Sequence, residues 1–316
     1  MKVLINSRQD DGWGDVLSTI FQATGFINHL RDNFPNMEVM YFINDNHNLG
    51  QLHHILNFEY FESITNRFGI LSDENKIQHL GGYTIFEGIR YERAYSVCNY
   101  SGLNTNVPGK FDIFVLDENK EEFMSLNIPF ENFNWHCLDN RAKYYPVINP
   151  KIIEKAEEFV KNNFEEDFES IRWRWSWDDR ECNIENQEKK FKEYIKYLES
   201  KVDLRKYYFF SSNSRRLKDI VNSSKIKVKF YWSLDDHSVD NTPVGPLLFD
   251  KDISESIITV TEIMILTYCK KIYYSYCNLP CSLFNWVAIN SKKIPMETVH
   301  VHIRDNESII NSEYFN

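Results

Sequence analysis

The sequence predicts an α/β protein of two domains, and three observations carry that expectation. Apolar strand-like runs alternate with amphipathic helical stretches through most of the chain. The alternation breaks at Pro146 and Pro150 and then starts again. The first apolar run, Val3-Leu4-Ile5, leads through a glycine-punctuated stretch, Gly12-Trp13-Gly14-Asp15, into the helical pattern that begins at Val16. With 316 residues, 42% of them hydrophobic and 15% aromatic, the chain has the length for two domains and the apolar content for packed cores rather than disorder.

The elements follow in order. Residues 1–6 read as a strand, 16–33 as a helix closed by Pro35, and 38–43 as the next strand. Phe34-Pro35-Asn36 is a short helix-to-strand connection, so this is a βαβ unit with a parallel pair. Residues 112–116 form a later strand of the same half, while 44–109 carry no regular period. Beyond Pro150, Ile152, Ile153, Ala156, Phe159 and Val160 mark one face of a long helix. Strands are then expected at 170–175, 207–212, 226–232 and 271–276, and helices at 188–202, 257–268 and 283–289. The expected domains are residues 1–150 and 151–316, two Rossmann-like units facing a cleft. Ligands in such sheets sit beyond the carboxyl ends of the strands.

Composition excludes several classes. A net charge of −10 speaks against a broad nucleic-acid face, although not against a local basic pocket. No apolar run approaches the roughly 18–20 residues that span a bilayer, and the first residues lack a signal-peptide pattern. A cytoplasmic protein is therefore expected. The six cysteines, at 98, 137, 182, 269, 277 and 281, are scattered without a C-x-x-C pair. Cys277 and Cys281 are the nearest two, with no His or second pair to complete a zinc site, so free and mostly buried thiols are expected.

Four constellations offer chemistry. Gly12, Trp13 and Gly14 make room for an acceptor, with Asp15 at a helix N-terminus where a carboxylate stays ionised and takes a proton from a hydroxyl. The same Asp15 also reads as a helix N-cap, and the flanking glycines favour the catalytic role. In Ile171-Arg172-Trp173-Arg174 the two arginines alternate onto one side of a strand, a fork suited to a diphosphate, with Asp178 and Asp179 following for a ribose or an ion pair. A solvated edge strand is the alternative. Ser212, Asn213 and Ser214 close an apolar strand and either bind nucleotide oxygens or cap the next helix. Ser282 opens a short helix after a buried strand, where N–H groups receive a phosphate or merely cap a core helix. Asp250-Lys251-Asp252 has the spacing of a divalent-metal site, but acidity at a helix start explains it at least as well. His53 and His54, adjacent in sequence, cannot share one helix face.

In the order of these motifs the chain resembles the two-domain nucleotide-sugar glycosyltransferases of the GT-B fold. Its second half resembles the GDP-fucose-dependent fucosyltransferase superfamily, in which an H-x-R-R-type strand binds the donor diphosphate. Arg174 matches the main arginine, Arg172 stands where the family has His, and Asp178 falls at the acidic position. Ser212-Asn213-Ser214 stands for a Thr/Ser-Asp-Ser strand end, and Ser282-Leu283-Phe284 for the final S-x-F motif. Residues 1–43 are similar to the bacterial heptosyltransferases, whose Gly-Asp loop supplies the base. The resemblance implies an inverting, metal-independent transferase with no cofactor beyond its nucleotide-sugar donor. Asp15 and Arg174 are its expected catalytic residues. Arg172, Asp178, Ser212, Asn213, Ser282 and Phe284 are expected on the donor, and Gly12, Trp13 and Gly14 on a glycan acceptor. GDP-fucose is the expected donor. An ADP-heptose-type enzyme, a non-catalytic nucleotide- or carbohydrate-binding protein of the same fold, and a metal-dependent transferase centred on Asp250 and Asp252 are the alternatives.

Overall fold

The computed structural model describes residues 1–9, 13–45, 52–72, 74–97, 111–126, 128, 146–165, 167–174, 184–212, 217–231, 253–276, 297–304 and 307–313. They divide into two compact units, Met1–Pro150 and Lys151–Asn316.

The first unit opens with β1 (Lys2–Gln9), α1 (Trp13–Asn33) and β2 (Glu38–Asp45), and β1 pairs parallel with β2. Apolar residues recur along α1 at Val16, Leu17, Ile20, Phe21, Ala23, Phe26, Ile27 and Leu30, all buried. The helix begins at Trp13, three residues earlier than the periodicity predicts, so Gly14 and Asp15 lie in its first turn and not in a loop before it. It ends where Phe34 N–H bonds Leu30 C=O at 2.7 Å, just ahead of Pro35.

Next come the short helices α2 (Leu52–Ile55) and α3 (Phe58–Ile64) and the strands β3 (Arg67–Leu71), β4 (Tyr83–Phe86), β5 (Ile89–Val97) and β6 (Phe111–Leu116), followed by α4 (Lys120–Ser125). The sheet runs β3-β2-β1-β6-β5-β4. Strands β1, β2 and β3 are parallel, whereas β6 runs antiparallel to β1 and begins an antiparallel meander. Helices α1 and α3 cover one face, where Phe111 meets Phe26 and Tyr41 meets Phe61. The opposite face buries Leu4, Met40, Phe42, Ile77, Tyr91 and Phe114. Its cover is the sheet's own hairpin. Phe86 packs on Phe42 at 4.7 Å between ring centroids, and Arg67 on β3 bonds both carboxylate oxygens of Glu87 at 2.8 and 2.6 Å. The hairpin turns through Glu87 and Gly88, both at positive φ, 51° and 77°. That is the two-residue geometry whose twist matches the flanking strands. A register shift between Arg93 and Tyr95 adds the bend that lets the hairpin reach over.

The second unit contains α5 (Pro150–Asn163, its first residue lying in the preceding unit), β7 (Glu169–Arg174), α6 (Ile184–Glu199), β8 (Tyr207–Ser212), α7 (Leu217–Asn222), β9 (Lys227–Lys229), α8 (Ile253–Leu266), β10 (Lys271–Tyr276), β11 (Glu297–Arg304) and β12 (Glu307–Glu313). Its sheet runs β12-β11-β10-β7-β8-β9, with every pair parallel except β11 and β12. Ile171, Trp173, Tyr208, Phe210, Tyr273, Val299 and Val301 pack with α6 and α7 in one buried cluster. Phe209 points the other way, toward Phe159 of α5. The strand expected at 226–232 is only three residues long, and the helix expected at 283–289 lies outside the described residues.

Candidate functional site

The chain leaves β7 for β8 on one side and later returns to β10 on the other, so the strand order reverses between β7 and β10. In open α/β sheets the crevice beyond the carboxyl ends at such a reversal is where ligands bind. Arg174 and Tyr276 are the paired last residues of these two strands, and Ser212, buried, ends β8 beside Trp173. Two of the sequence-derived site positions, Arg174 and Ser212, are thus brought to adjacent strand ends, and Arg172 lies two residues before the end of β7. Asp178, Asn213, Ser282 and Phe284 lie outside the described residues, as do Asp250 and Asp252.

Arg172 is not an open fork. Its side chain is 4% exposed and enters the layer between the sheet and α8. Nη1 donates to Ser211 Oγ at 2.7 Å, and Ser211 Oγ donates to Glu262 Oε2 on α8 at 2.9 Å. The direction of both bonds is set by chemistry, since a guanidinium only donates and a carboxylate only accepts. On the other face of β7, the Trp173 ring packs against Phe191 and Tyr194, each at 5.3 Å. Its indole Nε1 and the hydroxyl of Ser275, the residue in register with it on β10, are both buried without a hydrogen-bond partner among the described residues. Buried polar atoms left this way are uncommon, and each calls for an explanation.

The first unit holds a second polar network, under the carboxyl end of β1. Asn6 and Asn44 exchange amide hydrogen bonds at 3.2 Å, and Asn44 also bonds both backbone groups of Ile77. His79 Nε2 donates to Asn6 Oδ1 at 2.7 Å, while His79 Nδ1 stands 2.9 Å from Asp112 Oδ2. Arg93 Nε lies 3.4 Å from the other oxygen of that carboxylate. Asp112, fully buried on β6, is directly opposite Asn6 in the sheet. Nearby, Ser7 Oγ and Tyr41 OH bond at 3.0 Å, and burial holds the Tyr41 phenol well above its ordinary range. Sequence reasoning did not find this group. The available signal was the repeated Ile-Asn pair of the two parallel strands, Ile5-Asn6 and Ile43-Asn44, together with an aspartate inside the apolar run Phe111-Asp112-Ile113-Phe114.

At the loop before α1, Gly12 is outside the described residues and Gly14 and Asp15 are helical. Trp13, expected on the wall facing an acceptor, is instead 4% exposed and belongs to the core. Its position in the first turn of an amphipathic helix explains this, because residues 13, 16, 17 and 20 fall on one face. As a third helical residue, Asp15 sits at the positive end of the helix dipole rather than at the N-cap position. Among the described residues no three His, Cys, Asp or Glu side chains gather as a metal site, and no helix is long and apolar enough to cross a membrane.

No protein-family model matches the chain, and no curated protein matches it significantly in sequence. Similarity appears in three dimensions. NodZ alpha-1,6-fucosyltransferase co-crystallised with GDP matches with a TM-score of 0.51 and 9% identity over 100% of both chains. Fucosyltransferase NodZ from Bradyrhizobium, in its selenomethionine form, matches at 0.50 and 9% identity over 99% of each. POFUT1 in complex with GDP-fucose reaches 0.44 and 10% identity, over 93% of this chain and 97% of that one. At such identity the likeness is one of fold, and the chain has the GT-B fold of two Rossmann-like domains.

Proposed function

We propose that the chain is a glycosyltransferase that transfers a sugar from a GDP-sugar, GDP-fucose before others, to a hydroxyl of a glycan acceptor with inversion at the anomeric carbon. The observation that carries this reading is the end-to-end likeness of fold to a fucosyltransferase crystallised with GDP. The strand reversal between β7 and β10, with an arginine closing β7, supports a nucleotide at that place.

In this reading residues 151–316 hold the donor and residues 1–150 the acceptor. The bond from the anomeric carbon to the β-phosphate oxygen breaks while the acceptor oxygen attacks from the opposite side. Negative charge then grows on the diphosphate, and Arg174 neutralises it, an electrostatic role that needs no divalent metal. Ser212, Asn213, Ser282 and Phe284 complete the donor pocket, and Asp178 bonds the ribose. Asp15 takes the proton of the acceptor hydroxyl, its carboxylate kept ionised by the helix N-terminus. Gly12 and Gly14 leave the acceptor room, and a cytoplasmic setting suits the free, buried thiol of Cys269.

A thermal-shift and calorimetric series with GDP, UDP, ADP and CMP tests the donor. GDP is expected to stabilise the protein by about 2.7 kcal/mol at about 100 times its Kd, and Arg174→Ala is expected to abolish that gain. Stabilisation by ADP alone would replace the donor with an ADP-heptose type. Equal GDP binding by the wild type and Arg174→Ala would remove Arg174 from the site. Loss of transfer on chelation would end the metal-independent mechanism.

A further inference from the structure

The most demanding arrangement in the second unit is the chain Arg172–Ser211–Glu262. Three elements, β7, β8 and α8, each contribute one member, and each member is buried. An arginine keeps its charge inside a protein, so a compensating carboxylate has to be supplied. Glu262, joined to Arg172 through Ser211, offers a carboxylate from within Val260-Thr261-Glu262-Ile263-Met264-Ile265-Leu266, a stretch buried throughout. Stability alone does not call for this solution, because a well-packed apolar trio of similar volume is commonly as stable or more so. What the relay does is geometric. It ties β7 to β8 at Arg172↔Ser211, two residues before Arg174 closes β7 and one before Ser212 closes β8. It also anchors both strands to a helix, under the crevice where the strand order reverses.

We propose that Glu262 and Ser211 are positioning residues for the donor site, and that Arg172 serves with them from beneath the site rather than as a ligand of the diphosphate. Through Ser211, Glu262 holds Arg172 in one geometry, and the three together set where the ends of β7 and β8 meet the nucleotide. This rests on the donor reading above.

The test is GDP affinity by titration calorimetry in four proteins, with the thermal midpoint of each recorded alongside. These are the wild type, Glu262→Gln, Ser211→Thr, and the double variant Arg172→Met/Glu262→Leu. Glu262→Gln is expected to weaken GDP binding at least about tenfold, the affinity equivalent of one lost hydrogen bond to a charged group. Ser211→Thr keeps the hydroxyl and is expected to keep the affinity. The double variant removes both charges and leaves the neutral Ser211 hydroxyl without those two partners, so its midpoint is expected above that of Glu262→Gln, which strands the Arg172 charge, while its GDP affinity stays at least about tenfold down. That combination separates positioning from mere stability. A folded double variant, or a folded Glu262→Gln, with wild-type affinity overturns the proposal and leaves the donor reading standing. If the double variant does not fold, the contrast between Glu262→Gln and Ser211→Thr decides. A wild type that binds no GDP overturns the donor reading, and this proposal with it.

Discussion

Asp112→Asn is the sharpest test of the first unit. The replacement keeps the shape of the side chain and removes its charge from a position with no solvent exposure. His79 Nδ1 at 2.9 Å and Arg93 Nε at 3.4 Å then face a neutral amide. Removing one partner of a buried ion pair costs about 3–5 kcal/mol, because the other charge stays buried and uncompensated. Arg93 retains some solvent access, with 30% of its side chain exposed, which places the expectation at the lower end, about 3 kcal/mol. Against a typical total of about 5–15 kcal/mol this is a large share. Each kcal/mol moves the midpoint of a unit of this size by about 2–4 °C, so a drop of roughly 6–12 °C is expected. Scanning calorimetry is the assay, since two compact units need not melt as one. The transition assigned to residues 1–150 should fall and the other should stay. A shift below about 0.5 kcal/mol, the usual range of a surface substitution, would refute the view that Asp112 carries a charge the fold depends on.

Three further outcomes are expected. Gly88→Ala should destabilise by about 1–2 kcal/mol in urea denaturation, since Gly88 has φ +77° and a Cβ there meets no neighbouring atom, so the backbone alone resists; an unchanged midpoint would contradict the turn geometry. Asp15→Asn should lower kcat for transfer at least about a hundredfold, the ordinary contribution of a general base, with GDP affinity intact; a rate within a few-fold of wild type would return Asp15 to a purely helical role. Burial pushes the Cys269 thiol up to about 12 from near 9, and the Tyr208 phenol up to about 12. The unfolded chain therefore releases protons first, and stability should be complete at pH 8 and fall progressively from about pH 9 toward 12. Urea midpoints that stay level over this interval would show that these groups ionise as freely in the native state as in the unfolded chain.

The second unit was legible at β8 and β10, which are buried on both faces and read as apolar blocks, whereas α7, β11 and β12 were not read from the sequence. The strand at 207–212 and that at 271–276 have the bounds the sequence predicts. The first unit was legible through β2 and at β6, and then less so, for a physical reason. Periodicity places a strand without giving its direction, so nothing in residues 112–116 says that β6 runs against β1. The hairpin of β4 and β5 turns on Glu87-Gly88, a weaker signal than Asn-Gly or Asp-Gly. At the site, alternation along Ile171-Arg172-Trp173-Arg174 gives the face of Arg172 but not what covers that face. The cover is a helix some 90 residues later, whose one informative residue is the carboxylate of Glu262 in an otherwise apolar run. His79 was invisible for a similar reason, since its partners Asn6 and Asp112 come from far along the chain in both directions.

The position of β6 in the first sheet has a consequence for how the molecule is made. β1 finds its parallel neighbour β2 within the first βαβ unit, but its other edge is closed only when Val115 comes opposite Val3, more than a hundred residues later. Chain emerges from the ribosome from the N-terminus at about 5–20 residues per second. For several seconds of synthesis, the apolar strand that becomes the centre of the sheet therefore offers a bare hydrogen-bonding edge. Such an edge is a template for the wrong partner. The slow, long-range closure by β6 is also the kind of contact that limits folding rate. Assembly of this unit thus waits on its middle rather than on its ends, and a chaperone that shields β1 until residue 116 has emerged would act at the point of greatest exposure.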